Sequence, residues 1–196
     1  ALVLGRCIER DNQRPLVPGG KVLDWGDRLA TWLLREADLR AFVPGRGWAR
    51  AVGHGAEALS ALARSPHLSA PELTVVLDVV ADRVLAPADQ LFTHGEPDQL
   101  AVTTMAVLRR GVLPLSVVEP WIARIAAAAG TLASYDDRDP YLTSGNAESF
   151  LRSLYLQLSL AAQPPALRSD LLLTLVEALR STNAQYLHPD YLHPVR

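Results

Sequence analysis

The chain has 196 residues, 49% hydrophobic and 20% charged, the composition of a folded globular protein rather than a disordered one. Its 19 basic and 21 acidic side chains leave a formal net charge of -2, so no global field draws it to a phosphate backbone and nucleic acid is excluded as a default partner. The single cysteine, Cys7, excludes an intrachain disulfide framework and a thiolate metal cluster, and reads as a small core residue in a reducing cytoplasm.

The chain opens inside an apolar run, Ala1-Leu2-Val3-Leu4, with no helix-capping residue before it, so a preceding part is expected to be missing. From Val22 onward the apolar spacing is helical and strand-like alternation is absent. Over residues 21–37, Trp25, Leu29, Trp32 and Leu33 recur at i, i+4, i+7 and i+8, the stripe of an amphipathic helix. A second helix is expected over 47–64, burying Trp48, Val52, Gly55, Leu59 and Leu62. Ser69-Ala70-Pro71-Glu72 is a capping box, and the helix it starts must end before Pro87. Pro97 suits the first turn of the next helix, which closes on Arg109, Arg110 and Gly111.

Ser116-Val117-Val118-Glu119 reads as a second capping box, with Pro120 still in the first turn. A polar loop is expected over 135–145, then a helix from Asn146 to Ala162 presenting Phe150, Leu151, Leu154 and Leu158. Pro164-Pro165 breaks the chain before a last helix ending near Thr182. The final segment repeats Tyr-Leu-His-Pro and is expected to be an extended tail over 184–196. No apolar run approaches the roughly 20 residues of a membrane span, and no signal segment opens the chain, so the expectation is a cytoplasmic protein with no membrane partner. The helix starts pair into hairpins about 50 residues apart, which predicts an all-α fold of stacked antiparallel helix hairpins, a HEAT or armadillo-like superhelix forming a single domain, over a compact irregular bundle.

Arg50, His54, Glu57 and Arg64 fall on one stripe of the 47–64 helix, and Gly53 and Gly55 flank the histidine. Each glycine inside a helix costs about 1 kcal/mol relative to alanine, so the pair asks for the close approach of a neighbouring backbone or a ligand. Thr93-His94-Gly95-Glu96 stands where a loop becomes a helix, placing Glu96 either as a cap or, with His94, beside an anion site. Phosphate loops, zinc-protease motifs, nucleophile elbows and kinase signatures are missing from the sequence. Catalysis would have to use His54 with Glu57 or Glu96 as general acid and base.

Arg40 and the run Gly45-Arg46-Gly47-Trp48-Ala49-Arg50-Ala51-Val52-Gly53-His54-Gly55-Ala56-Glu57 resemble the bacterial domain-of-unknown-function 2785 family. The resemblance continues through Phe92 to Ala101, and through Asn146 and Phe150-Leu151-Arg152-Ser153-Leu154-Tyr155. It implies an all-α, HEAT-like fold, a chain lacking the family's N-terminal part, and no established activity. Members often carry histidine where Arg50 stands, and His-x-x-x-His with an acid three residues on would suit a metal; arginine cannot ligate one, so no metal and no cofactor is expected. The residues carried over are Arg40, Trp48, His54, Glu96, Asn146, Arg152 and Tyr155. With Arg50, Glu57 and His94 they form either a surface binding a small polar or anionic molecule or a protein partner, or a buried polar network in which an acid holds His54. The oligomeric state is left open.

Overall fold

The computed structural model describes residues 1–130, 139 and 141–182. The expected tail over 184–196 and residues 135–138 and 140 of the expected 135–145 loop lie outside the described residues. The described chain carries eight helices and one short hairpin: α1 (Leu2–Gln13), α2 (Gly19–Arg35), β1 (Phe42–Val43), β2 (Gly47–Trp48), α3 (Ala51–Ala63), α4 (Ala70–Leu85), α5 (Glu96–Leu108), α6 (Leu115–Gly130), α7 (Tyr141–Leu160) and α8 (Arg168–Thr182). The fold is all-α, as the periodicity and the family resemblance both implied.

Local chemistry accounts for most boundaries. Ser69 and Glu72 form the reciprocal capping box at the start of α4, with Pro71 in the first turn where its missing N–H costs nothing. Pro97 occupies the first turn of α5, and Gly111 follows Arg109 and Arg110 with φ of 64°, the left-handed stop that arrests the helix. Asp11, buried near the end of α1, accepts the amides of Leu16 and Val17 at 2.6 and 3.0 Å, and these bonds hold its carboxyl below the usual carboxylate range.

Four sequence expectations are corrected. The segment 47–48 is strand, not helix: β1 and β2 pair Phe42 with Trp48 and Val43 with Gly47 around a turn in which Gly45 and Gly47 take positive φ. Trp48 is therefore 64% exposed, resting edge-on against Phe42 rather than in the core. The second capping box does not form, because α6 starts at Leu115; Pro120 lies inside the helix, and Glu119 accepts a bond from Thr174 of α8 instead. The helix expected from Asn146 begins at Tyr141, so Ser144 and Gly145 are helical and buried. Cys7 is exposed on α1 rather than in the core.

The helices form two layers. Odd-numbered helices lie side by side, α3 between α1 and α5 and α5 between α3 and α7; even-numbered helices follow one another beside them. The layers meet where α2 packs on α3, α4 on α5, and α6 and α8 on α7. One continuous core runs between them, from Ile8 and Leu33 through Leu59, Leu77 and Leu100 to Phe150 and Leu175. Polar side chains bridge it without being left bare: Thr103 donates to the carbonyl of Ala56 at 2.8 Å and Trp121 to that of Leu77 at 2.8 Å. Arg110 ties the 63–68 turn down by donating to the carbonyls of Ala63, Ser65 and Leu68.

Candidate functional site

The end of α2 and the end of α4 release their chains at neighbouring places, and the two loops enclose a cleft of about 450 Å³ lined by Arg35, Glu36, Asp38, Arg40, Asp89 and, at its base, Arg83. That volume lies within the range of small-molecule sites. Arg83 faces inward for a reason visible in its helix: Leu73, Val76, Val80 and Arg83 fall at i, i+3, i+7 and i+10, so the arginine occupies a core position in the last turn of α4. It is 4% exposed, and its Nε is buried with no hydrogen-bond partner among the described residues.

Several elements hold this side chain in place. The Phe92 ring lies under the guanidinium, 5.4 Å from its carbon to the ring centroid. Phe92 is itself held by Asn146 of α7, whose Oδ1 accepts the Phe92 amide at 2.7 Å. Glu96, buried at the start of α5, takes the amide of His94 at 2.8 Å and, with Glu36, provides the negative charge opposite Arg83. Burial pushes the Arg83 guanidinium's pKa down, and the two glutamates push it back up. Arg83 thus brings a buried cation with an unpartnered Nε to the lining of the cleft.

The rim is organised by Asp38. Its carboxylate accepts the Arg40 side chain through Nε and Nη2, the latter at 2.6 Å, and the Arg40 amide at 3.0 Å. These bonds hold the Asp38 carboxyl at about 2. Glu36 in turn accepts the Asp38 amide at 2.9 Å. Arg40 also anchors the hairpin, because its carbonyl receives the Arg50 amide at 3.1 Å and Ala41 receives that of Ala49.

Of the residues singled out from the sequence, Arg40, Glu96 and Asn146 are brought together around Arg83. Arg50 sits at the entry to α3 in a left-handed conformation, φ 43°, with its guanidinium close to Gly53 and Gly95. Gly55 has a clear packing role: a methyl group there would lie 2.7 Å from Leu33 and 2.8 Å from Trp32. His54 points elsewhere. With Glu57 it lies against Leu2, Gly5, Arg6 and Glu9 of α1, in a crevice with no room for a ligand, and Arg6 engages Glu57 at 3.2 Å. No hydrogen bond or ion pair joins His54 to Glu57 or Glu96 among the described residues. Arg152 pairs with Glu148 at 2.8 Å on α7, Tyr155 packs on the core, and His94 and Trp48 are exposed. Among the described residues no three His, Cys, Asp or Glu side chains are placed to hold a metal ion, and no helix is long and apolar enough to cross a membrane.

Arg83 is the residue that reading for motifs missed. Its signal was available: an arginine at a core register, followed by Val84 and Leu85, within a helix whose other charges fall outward.

Fold and cleft together define a two-layered all-α protein with a buried arginine at the foot of a polar cavity. A family model described as a protein of unknown function (DUF2785) matches residues 1–156, and the chain belongs to that family. No curated protein and no solved structure matches the chain significantly.

Proposed function

We propose that the protein is a non-catalytic helical-repeat protein, its helix pairs stacked in HEAT-like fashion within one domain, that binds a small polar or anionic ligand in the cleft between the 36–40 and 86–90 loops. The observation that carries this reading is Arg83: a buried guanidinium with a bare Nε at the base of a cavity of about 450 Å³. Arg40, clasped by Asp38, shapes the rim, and Phe92, itself held by Asn146, packs on Arg83 while Glu96 supplies it with negative charge. The site thus lies on the Arg40, Glu96 and Asn146 side of the region marked by the sequence, not on the His54 side.

Thermal unfolding in millimolar phosphate, sulfate, simple carboxylates and amino acids tests this. A ligand at ten times its Kd adds about 1.4 kcal/mol to stability, which in a chain of this size raises Tm by roughly 3–6 °C. Arg83→Met should abolish the response; it also leaves buried Glu96 without its countercharge, so the unliganded Tm should fall and the response is read against that lower baseline. His54→Ala should leave the response intact. A wild type that ignores every probe would show Arg83 to be a structural prop and sink the proposal.

A further inference from the structure

The charges of the cleft are balanced as well as exposed to it. Arg35, Arg40 and Arg83 face Glu36, Asp38 and Asp89 across the same cavity. Arg40 and Asp38 spend their charge on one another. Besides Arg35, which is exposed and has no ion pair among the described residues, what remains unspent is the buried guanidinium of Arg83 and two carboxylates, Glu36 and Asp89. The only side-chain bond to Glu36 is the Asp38 amide on Oε1, and Asp89 has none among the described residues. Glu36 and buried Glu96 are also the charges that Arg83 feels.

A simple anion fits this arrangement poorly, because at Arg83 it would meet the repulsion of two glutamates. A cation alone would leave the guanidinium bare. A molecule carrying both signs a few ångströms apart satisfies both ends, with its carboxylate on Arg83 and its ammonium on Glu36 and Asp89. Leu34, Leu39, Pro87 and Ala88 line the same cavity and supply apolar wall for a hydrocarbon side chain. Resting on the ligand-binding reading of the same cleft, we propose that the ligand is a zwitterion of the α-amino acid class with an apolar side chain, recognised at its carboxylate by Arg83 and at its ammonium by Glu36.

Titration calorimetry of the full chain with the twenty standard amino acids, and with leucine's deaminated and decarboxylated analogues, 4-methylpentanoate and isoamylamine, tests the assignment. An apolar amino acid should bind at least tenfold more tightly than either analogue. Glu36→Gln should cost the amino acid about tenfold in affinity and leave 4-methylpentanoate no weaker, or tighter as the Glu36 repulsion goes, whereas Arg83→Met should remove both, each variant keeping a cooperative thermal transition. If 4-methylpentanoate or inorganic phosphate binds in an Arg83-dependent way as tightly as any amino acid, the zwitterion is overturned and the anion-binding reading stands. If no amino acid, carboxylate or phosphate binds, both fall together.

Discussion

Gly55→Ala and Gly53→Ala, two residues apart on α3, should change stability in opposite directions. At Gly55 the new methyl group would sit 2.7 Å from Leu33 Cδ1 and 2.8 Å from Trp32 Cζ3. Leu33 is fully buried and cannot swing away, so the helices must separate or a side chain must leave its rotamer. Overpacking of that kind costs about 2–3 kcal/mol, offset by about 1 kcal/mol of helix propensity, for a net loss of about 1–2 kcal/mol. At Gly53 the nearest atoms are those of Arg50, at 3.6 Å, an ordinary contact with a flexible side chain. In the first turn of the helix, propensity then yields a gain of about 0.5 kcal/mol. Urea titrations followed by circular dichroism read both numbers, provided the m-value is unchanged, and thermal scans should show Gly55→Ala lower by about 3–6 °C. A Gly55→Ala variant as stable as the wild type would refute the claim that close approach of α2, rather than a ligand, is why a glycine stands beside His54.

Three other outcomes follow from the same contacts. Asp38, held at about 2 by Arg40, keeps its contribution at all pH above its ordinary value of 3.8 and loses it only as pH falls through about 2; Arg40→Gln should return its carboxyl toward 3.8 in an NMR titration, and an unchanged midpoint would disprove the clasp. Asn146→Ala strands the buried Phe92 amide and should cost about 1–3 kcal/mol in denaturant, whereas a change under about 0.3 kcal/mol would mean that the 86–95 loop is held by something else. Arg110→Met removes three bonds to carbonyls of the 63–68 turn and should cost about 2–3 kcal/mol, with faster amide exchange confined to that turn; uniform exchange across the chain would contradict a local tether.

What could be read without coordinates was whatever depends on neighbours in sequence. The Ser69–Glu72 box, Pro97, Gly111 and the stripe of α2 act within one or two turns, so their spacing alone specifies helices and most of their ends. The failures share a cause. Trp48 is apolar and lies near helical periodicity, but positive φ at Gly45 and Gly47 turns its segment into a hairpin. Ser116 and Glu119 have capping spacing, yet Leu115 already belongs to α6 and Glu119 faces α8.

The site divides the same way. Sequence alone marked Arg40, His54, Glu96 and Asn146, and of the two glycines it expected to need a close neighbour only Gly55 has one, Leu33 and Trp32 of α2, while Gly53 meets only the Arg50 side chain at 3.6 Å. Which of these share a place is a matter of which helix packs where. Because α3 lies between α1 and α5, its residues are shared out between two neighbours: His54 and Glu57 meet α1, while Arg50 reaches toward Gly95 at the start of α5. Arg83 carries no motif, and only the packing of α4 against the Phe92 loop and the loop after α2 turns one buried arginine into the base of a cavity. Local spacing determines the helices of this protein; its cleft exists because two loops 50 residues apart in the chain come together where the ends of α2 and α4 lie side by side.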